Sequence, residues 1–370
     1  AGTCLALKEK APGVRIIAAE PAGADDAARS FAAGRRIPQT APKTIADGLL
    51  TSLGELTWPV IRDHLDEVVT VDDGSRDGSA ELLEARAARD PRLRLIRTAP
   101  RGLVSALGLA LAEARTPVVV RMDADDVAHP ERLERQARRL ENDTGVDVLG
   151  SRVELLSAAG VPPSGGMRTY VDWLNQLLDH SSMARDRFVE SPLVHPTVAM
   201  RRETLVALGG WREFSGPEDY DLWLRAFDAG LRFAKLPEIL LRWRDRPRRL
   251  TRTDPRYAPD RFLALKLTAL RRGPLAGDRP AVVWGAGPVG KAWGRALLAA
   301  GNPVAAFVEV DPRKIGARIH GAPVIPVARA PTVPGAVHLA AVGQRGARAR
   351  IRAEAARLGL VDGTDLFAVA

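Results

Sequence analysis

Three carboxylates lie within four residues directly after an apolar stretch: Asp123, Asp125 and Asp126. Carboxylates this close repel one another, and a divalent cation relieves that repulsion. Mg²⁺ and Mn²⁺ take oxygen ligands and keep coordination positions open for substrate phosphates. The spacing therefore indicates a metal site at Asp123 and Asp125, although a solvent-exposed acidic turn would have the same sequence.

Two other acidic groups stand at the ends of expected elements. Asp72, Asp73 and Ser75 follow a β-branched stretch, where a tight turn and a helix cap are expected. Their side chains could accept hydrogen bonds from a base or a ribose. Glu218 and Asp219 open a helix, whose N-terminus favours ionised carboxylates, so Asp219 is a candidate general base. Each group alone could be an ordinary cap, but the three together favour a functional site.

A glycine-rich turn lies near the C-terminus, where Gly285, Gly287 and Gly290 follow an apolar stretch and open a helix. Glu309 and Asp311 end the next expected strand. This pattern is typical of dinucleotide binding, in which glycines let the backbone approach a phosphate and the acid binds a ribose. NAD(P) or another nucleotide is the ligand this predicts. The alternative is a Rossmann-like interaction module whose glycine turn serves packing.

The elements that position these residues alternate between strands and helices, which predicts the α/β class. Strands are expected at 14–19, 68–71, 93–96, 117–122, 146–150, 281–284 and 304–310. Helices are expected at 78–89 and 102–114. Pro130 marks the start of another helix, whose buried face is predicted to contain Leu133, Ala137 and Leu140.

Composition narrows the function classes. The chain has 370 residues, of which 46% are hydrophobic, and a net charge of +9. Its arginines alternate with acids, which argues against nucleic-acid binding. The single cysteine, Cys4, excludes an internal disulfide framework and a cysteine-rich zinc site. Because no apolar run approaches 18 residues and no signal pattern opens the chain, a cytoplasmic protein without a transmembrane segment is expected. Peripheral membrane contact is not excluded.

The central segment, residues 67–250, resembles a family 2 glycosyltransferase with the GT-A fold. The matching motifs cover about half the chain and lie at 71–75, 122–126, 129–133, 195–201, 209–211 and 218–225. The resemblance implies metal-dependent, inverting transfer of a hexose-type sugar from a nucleoside diphosphate to an acceptor hydroxyl. A glycan or a lipid-linked molecule is the acceptor class that it suggests.

The resemblance also implies roles for individual residues. Asp73 would bind the nucleotide base, Asp123 would support the ribose and the metal, and Asp125 would ligate the metal on the diphosphate. Asp219 would deprotonate the acceptor. Contacts with phosphate or acceptor are considered for His195, Arg242, Arg244, Arg248 and Arg249, against a structural histidine and a solvated basic face as alternatives.

The N-terminal segment, to about residue 70, resembles a C-terminal fragment of fold-type II PLP enzymes, the serine/threonine dehydratases and serine racemases. The matching stretches are 2–6, 13–27, 44–48 and 52–59. In that family the positions of Glu20, Ala24 and Asp26 hold a structural Mg²⁺ or Ca²⁺, although an ordinary helix cap is favoured here. PLP chemistry needs a Schiff-base lysine and a phosphate loop. Both would precede Ala1, so PLP is not expected.

Four segments follow from these observations: a PLP-enzyme fragment at 1–66, a glycosyltransferase core at 67–250, a linker at 251–278 and a Rossmann-like domain at 279–370. The last resembles an extension found behind some bacterial family 2 glycosyltransferases. The join near Asp72 indicates a gene fusion or a sequence-assembly error, and it replaces the family's first nucleotide-binding strand. One hypothesis places strand 14–19 in the vacant position. The alternatives to an active transferase are an impaired fusion that only binds nucleotide, a dehydratase-racemase fragment without PLP chemistry, and a nucleotide-binding or redox-sensing module.

Overall fold

The computed structural model describes residues 17–18, 30, 67–74, 79–89, 91, 93–114, 116–123, 126–157, 163–245 and 249–370. Six candidate residues lie outside these ranges: Glu20, Ala24, Asp26, Ser75, Asp125 and Arg248. The chain forms two compact units. The first comprises residues 1–178, 193–214 and 231–253, and the second comprises 179–192, 215–230 and 254–370. Both units therefore take residues from the predicted transferase segment.

Strands and helices alternate through the described residues. The strands are β1 Ile17–Ala18, β2 Glu67–Asp72, β3 Leu93–Arg97, β4 Val118–Val120, β5 Val127–Ala128, β6 Val148–Ser157, β7 Ala199–Arg201, β8 Phe233–Asp245, β9 Ala281–Trp284, β10 Val304–Glu309, β11 Arg318–Ile319, β12 Ala322–Pro326, β13 Val337–Ala340 and β14 Leu366–Ala368. The helices are α1 Ser79–Ala87, α2 Leu103–Glu113, α3 Arg132–Asn142, α4 Gly165–Gln176, α5 His180–Asp186, α6 Arg202–Ala207, α7 Glu218–Asp228, α8 Leu250–Thr253, α9 Pro259–Arg272, α10 Pro288–Ala299 and α11 Ala347–Arg357. The predicted α/β class is confirmed.

The first unit contains a parallel sheet of order β1-β2-β3. β1 pairs with β2 at Ile17–Glu67 and Ala18–Val68, so the N-terminal strand takes the place beside β2 that the sequence hypothesis gave it. Helices α1 and α2 follow β2 and β3. Because parallel strands direct their carboxyl ends to one edge of a sheet, the segments after β2 and β3 lie side by side there.

A second, mixed sheet of the first unit has the order β4-β7-β6-β8-β5. β6 and β8 are parallel, and β7 is antiparallel to both β4 and β6. One hydrophobic cluster on this sheet consists of Leu140, Val146, Leu149 and Ala199. Another consists of Val153, Val171, Leu174, Val194, Leu241 and Trp243. These clusters fix the sheet on which the acidic segment after β4 is carried.

The buried face of α3 differs from the sequence prediction. Arg132, Gln136 and Leu140 are buried, whereas Leu133 and Ala137 are only half-buried. Arg132 and Gln136 find hydrogen-bond partners inside the unit, which compensates for the cost of burying them. The prediction was right for Leu140 and wrong for Leu133 and Ala137, because apolar periodicity alone cannot identify a polar pair whose partners are distant in sequence.

The second unit contains a sheet of order β11-β12-β10-β9-β13-β14, parallel except for the β11–β12 pair. The central strands β9 and β13 are buried along their whole length, as expected for parallel strands covered on both faces. The predicted β-α-β unit is present as β9, α10 and β10. No helix among the described residues combines the length and apolarity needed to cross a membrane.

Candidate functional site

The acidic loop, residues 121–126, follows β4 in the first unit. Asp123 forms an ion pair of 2.6 Å with Nη2 of Arg121, and about a third of its side chain is exposed (34%). Asp126 is buried and accepts a hydrogen bond of 2.8 Å from the Arg244 amide through Oδ1. The Asp126 amide donates to the Asp123 carbonyl at 3.2 Å, which closes the turn. Of the loop carboxylates that the structure describes, Asp123 is accessible and Asp126 is internal.

The loop's donor chemistry suits a hard divalent cation, because carboxylate oxygens are the ligands that Mg²⁺ and Mn²⁺ prefer. Among the described residues, no group of three or more His, Cys, Asp or Glu side chains could hold a metal ion. Asp125, the predicted second ligand, lies outside those residues. Asp123 therefore fits a cation site as one exposed oxygen donor.

Arg132 and Gln136 form a buried polar pair below this loop, which the sequence analysis did not identify. Arg132 donates to Oε1 of Gln136 at 3.0 Å and to the Arg121 carbonyl at 2.9 Å. Burial lowers the pKa of Arg132 to about 10, although Asp126 acts in the opposite direction. Arg132 is therefore a cation at neutral pH. The sequence signal was the presence of Arg and Gln four residues apart on the helix that follows the acidic loop.

The segments after β2 and β3 are tied together by Asp73. Its Oδ1 accepts from the Arg101 amide at 2.8 Å and from the Thr98 hydroxyl at 3.1 Å, and its Oδ2 accepts from the Gly102 amide at 2.7 Å. Gly74 has a φ of +79°, and a Cβ there would lie 2.4 Å from Cδ of Pro100. The predicted base-binding carboxylate thus also fixes the start of α2.

Asp72 is almost completely buried (1% exposed). Its carboxylate lies 3.9 Å from Nε of Arg97, and its carbonyl accepts from the Thr98 amide at 2.8 Å. Asp72 therefore stabilises the neighbouring edge of β3. Ser75, the third residue predicted in this group, lies outside the described residues.

His195 is buried beside Trp211. Trp211 Nε1 donates to His195 Nε2 at 2.9 Å, so the neutral histidine carries its proton on Nδ1. Burial, followed by the Arg121 charge, holds the pKa of His195 well below its ordinary value. His195 is therefore a neutral group, and its contact with Trp211 is consistent with the structural alternative stated for it.

Each candidate arginine that the structure describes on β8 and after it makes a contact of its own. Arg242 lies 3.4 Å from Glu154, and Arg244 uses its backbone amide to hold Asp126. Arg249 lies over the Trp243 ring at 4.1 Å. Arg248 lies outside the described residues. Their separate contacts favour structural roles for Arg242 and Arg249.

Glu218 and Asp219 lie in the second unit, at the start of α7. Glu218 is buried (3% exposed) and accepts a hydrogen bond of 2.6 Å from the Tyr257 hydroxyl. Asp219 is half-buried and accepts from the Tyr220 amide at 2.7 Å through Oδ1. Asp219 is therefore the more accessible carboxylate of the pair. Tyr257 was missed because it lies in the segment that the sequence analysis assigned to a linker.

Packing within the second unit explains part of the glycine turn at residues 285–290. A Cβ on Gly290 would lie 1.8 Å from the Gly285 carbonyl oxygen, whereas a Cβ on Gly287 would meet nothing within 4 Å. Glu309 accepts from the Val310 amide at 2.9 Å and from Lys314 Nζ at 3.0 Å. Its pKa is lowered by the hydrogen bonds from these groups although burial acts against this. Close packing against the Gly285 carbonyl therefore explains why residue 290 is a glycine. No such contact explains Gly287, where a side chain would find open space.

Asp311, the other acid at the end of β10, is paired with a neighbour instead of standing free. Both oxygens of its carboxylate accept from the Arg313 guanidinium at 3.0 Å. The hydrogen bonds from Arg313 lower the pKa of Asp311. A ribose in this unit would therefore meet two carboxylates that are already held by basic residues.

The candidate residues divide between the two units. Asp72, Asp73, Asp123 and His195 belong to the first. In this unit the acidic loop follows β4, and the contacts of Asp73 with Thr98, Arg101 and Gly102, here called the Asp73 junction, lie after β2 and β3. Glu218 and Asp219 belong to the second, together with Gly285, Gly287, Gly290, Glu309 and Asp311.

Comparison with known families assigns two regions of the chain. Residues 48–208 match the family described as Glycosyl transferase family 2. Residues 1–85 match the family described as Pyridoxal-phosphate dependent enzyme, so the two matches overlap at 48–85. Both resemblances identified in the sequence are therefore confirmed.

Individual relatives divide in the same way. The chain is 31% identical to the putative glycosyltransferase EpsE of Bacillus subtilis (strain 168) over 184 residues, which cover 48% of this chain and 62% of that protein. It is 54% identical to the serine racemase of Arabidopsis thaliana over 84 residues, which cover 23% of this chain and 24% of that protein. The chain thus spans less than two thirds of the length of either relative.

Among solved structures, the mannosyltransferase PcManGT from Pyrobaculum calidifontis in complex with GDP-Man and Mn²⁺ aligns with a TM-score of 0.43. The alignment has 19% sequence identity and covers 78% of this chain and 76% of that chain. The similarity to glycosyltransferases rests on the family match and on the motifs within it. Residues 48–208 of this chain match glycosyltransferase family 2.

Proposed function

We propose that this protein transfers a sugar from a nucleoside diphosphate to an acceptor hydroxyl, with inversion at the anomeric carbon. The observation that carries the proposal is the acidic loop after β4, which lies within the family 2 match and exposes the Asp123 carboxylate. A glycan or a lipid-linked molecule is the proposed acceptor class.

The proposed cation is Mg²⁺ or Mn²⁺, held by Asp123 and Asp125. It would stabilise the negative charge on the departing nucleoside diphosphate. The ion pair with Arg121 occupies Oδ1 of Asp123 and orients the carboxylate. The neighbouring Asp73 junction, with the Arg101 and Gly102 amides, is the proposed nucleoside-binding edge of the same unit.

Asp219 is the proposed general base that accepts the proton of the acceptor hydroxyl. The neighbouring Glu218 is buried and already accepts a hydrogen bond from the Tyr257 hydroxyl, so it is less suited to act as a base. Carboxylates in the first turn of a helix are stabilised in the ionised form, which a base requires. Asp219, rather than Glu218, is therefore proposed as the base because its carboxylate is the more accessible of the two.

Calorimetric titration with UDP, TDP and GDP in the presence of Mn²⁺ tests the proposal. Metal-dependent nucleotide binding is expected to be abolished in Asp125→Asn and weakened in Asp123→Asn. Glu134→Gln is the matched control, because Glu134 is an acid on α3 that pairs with Arg138 on the helix surface. Nucleotide binding that is unchanged in Asp125→Asn would contradict the metal assignment.

A second candidate is an impaired fusion that binds nucleotide without transferring sugar. The overlap of the two family matches at residues 48–85 favours it, because this overlap includes β2 and the Asp73 junction. The two candidates differ in one measurement. An active enzyme releases UDP or GDP from a panel of nucleotide sugars with added acceptor alcohols, whereas the impaired fusion binds the nucleotides and releases nothing.

The second unit is a further candidate for nucleotide binding through its glycine turn, with NAD(P) as the ligand class. The open space at Gly287 supports it, while the internal hydrogen bonds of Glu309 weigh against it. Titration with NADH and NADPH, followed by nicotinamide fluorescence, tests this candidate. Binding that persists in Gly287→Trp would exclude the turn as the site.

A further inference from the structure

Two polar side chains on one face of α3 are sealed inside the first unit. Arg132 is 1% exposed and Gln136 is fully buried, one helical turn apart. Burying a guanidinium in an apolar interior is strongly unfavourable unless its hydrogen bonds and its charge are compensated. A leucine or methionine at position 132 would fill similar volume without that cost. An arginine at position 132 therefore indicates a role other than filling the core.

The contacts of the pair join three segments, two of which carry candidate site residues. Arg132 Nη2 donates to the Arg121 carbonyl, where the acidic loop begins. Gln136 Nε2 donates to the Thr197 carbonyl at 2.7 Å, at the end of the short helix His195–Thr197, and to the Leu149 carbonyl of β6 at 3.3 Å. The Arg132–Gln136 hydrogen bond connects the two sets of contacts. The pair thus fixes the position of the loop relative to β6.

The charge of Arg132 also acts on the acidic loop. Asp126, the buried carboxylate of the loop, interacts electrostatically with Arg132 and stabilises its charged form. Arg132 Nη1 is buried and makes no hydrogen bond among the described residues, so hydrogen bonding alone does not account for this guanidinium. A fixed cation below the loop compensates the internal carboxylate. Asp123, the other carboxylate of the loop that the structure describes, is then accessible to an external cation.

We propose that Arg132 and Gln136 are positioning residues that hold the acidic loop of Asp123 and Asp126 in a geometry ready for a divalent cation. The inference rests on the proposed function, because that function supplies the cation. Arg132 touches neither the cation nor the donor. It acts through the Arg121 carbonyl and through the charge of Asp126.

The experiment compares three variants with a matched control. Arg132→Met removes the charge and the hydrogen bonds to Gln136 and the Arg121 carbonyl. Arg132→Lys keeps the charge but lacks the planar guanidinium with its several donors. Gln136→Leu removes the hydrogen bonds to the carbonyls of Thr197 and Leu149. Arg201→Met is the control, because Arg201 donates to the carbonyls of Val146 and Leu140, at 2.6 Å each. Arg201 pairs with Val118, at the end of β4 opposite to the acidic loop.

Binding of Mn²⁺ in the presence of UDP is followed by the electron paramagnetic resonance signal of free Mn²⁺. Each variant is measured well below its own melting temperature. Arg132→Met is expected to weaken Mn²⁺ affinity by about tenfold or more, the range found when groups that orient ligands are removed. Arg132→Lys and Gln136→Leu should fall between Arg132→Met and the wild type. Arg201→Met should lose thermal stability but keep wild-type Mn²⁺ affinity.

The outcomes separate the explanations. If Arg132→Met and Arg201→Met lose similar stability and both bind Mn²⁺ like the wild type, the pair has only a packing role and the inference is overturned. If Arg132→Met does not fold, Arg132→Lys and Gln136→Leu decide by the same criterion. A wild-type protein that fails to bind Mn²⁺ with UDP overturns the proposed metal site itself, and this inference with it.

Discussion

The hydroxyl of Tyr257 donates a hydrogen bond of 2.6 Å to the buried carboxylate of Glu218. Tyr257 ends the short helix Pro255–Tyr257, whose preceding residue Asp254 accepts from the Arg256 amide. Burial, followed by the Glu218 charge, raises the pKa of Tyr257 well above its ordinary value, so the donor stays protonated. A segment that the sequence analysis assigned to a linker thus supplies the partner of one of the two acids at the start of α7.

Tyr257→Phe is expected to destabilise the protein by about 1–3 kcal/mol, because Glu218 would remain buried without the hydrogen bond from Tyr257. Urea unfolding measures the loss. In a Glu218→Gln background the substitution should also be costly, since the amide oxygen still accepts, whereas in Glu218→Leu it should cost little. Equal costs in all three backgrounds would show that the hydrogen bond contributes nothing.

Lys235 gives the stability of the protein a pH dependence. It lies buried on β8 and donates to the Leu174 carbonyl at 2.6 Å. Burial, followed by the Arg152 charge, lowers the pKa of Lys235 to about 7 from an ordinary value of 10.5. Between these values the unfolded chain binds more protons than the folded one, so stability is expected to rise as pH increases from about 7 towards 10.

The measurement is the free energy of unfolding in urea at pH 7, 8 and 9, for the wild type and Lys235→Met. The variant is expected to lose most of this increase and to be more stable than the wild type at pH 7, because no buried ammonium must be desolvated. An identical pH slope in both proteins would contradict the assignment.

His195 is expected to stay neutral, with its proton on Nδ1, at pH values where an ordinary histidine becomes protonated, because burial lowers its pKa. Nitrogen-15 NMR of the histidine side chains measures both properties, because the two ring nitrogens have different shifts in each tautomer. Trp211→Phe removes the donor to Nε2 and should change the tautomer ratio of this one histidine. A His195 resonance that titrates near pH 6.5 would show that the ring is not buried as described.

Asp73→Ala is expected to release the start of α2. The substitution removes the acceptor of the Arg101 and Gly102 amides, and their hydrogen exchange should accelerate. Thr98→Val is the matched control, because it removes the hydroxyl bonds to Asp73 and to the Asp72 carbonyl and leaves both amide bonds to Asp73. Unchanged exchange at both amides in Asp73→Ala would contradict the role of this carboxylate.

Local sequence patterns predicted the elements that carry the site. β2, β3 and β4 lie within two residues of their predicted bounds, since short apolar runs that are followed by turn-forming residues favour strands. β6 was predicted to end near residue 150 but continues to Ser157, because β8 pairs with it along this length. β5 and β7 were not predicted, since strands of two and three residues have too little periodicity to be recognised.

The sequence by itself determined the order of β2, β3 and β4 and the acidic motifs that follow β2 and β4, because turn residues and alternating β-branched residues act over a few neighbouring positions. Tertiary structure decided which carboxylate is exposed and which is buried. Asp123 and Asp126 stand in the same motif, yet only Asp126 receives the Arg244 amide, 118 residues away. It also decided that Arg132 and Gln136 face inward, because the free energy of burying a polar group depends on hydrogen-bond partners that only the folded chain brings together.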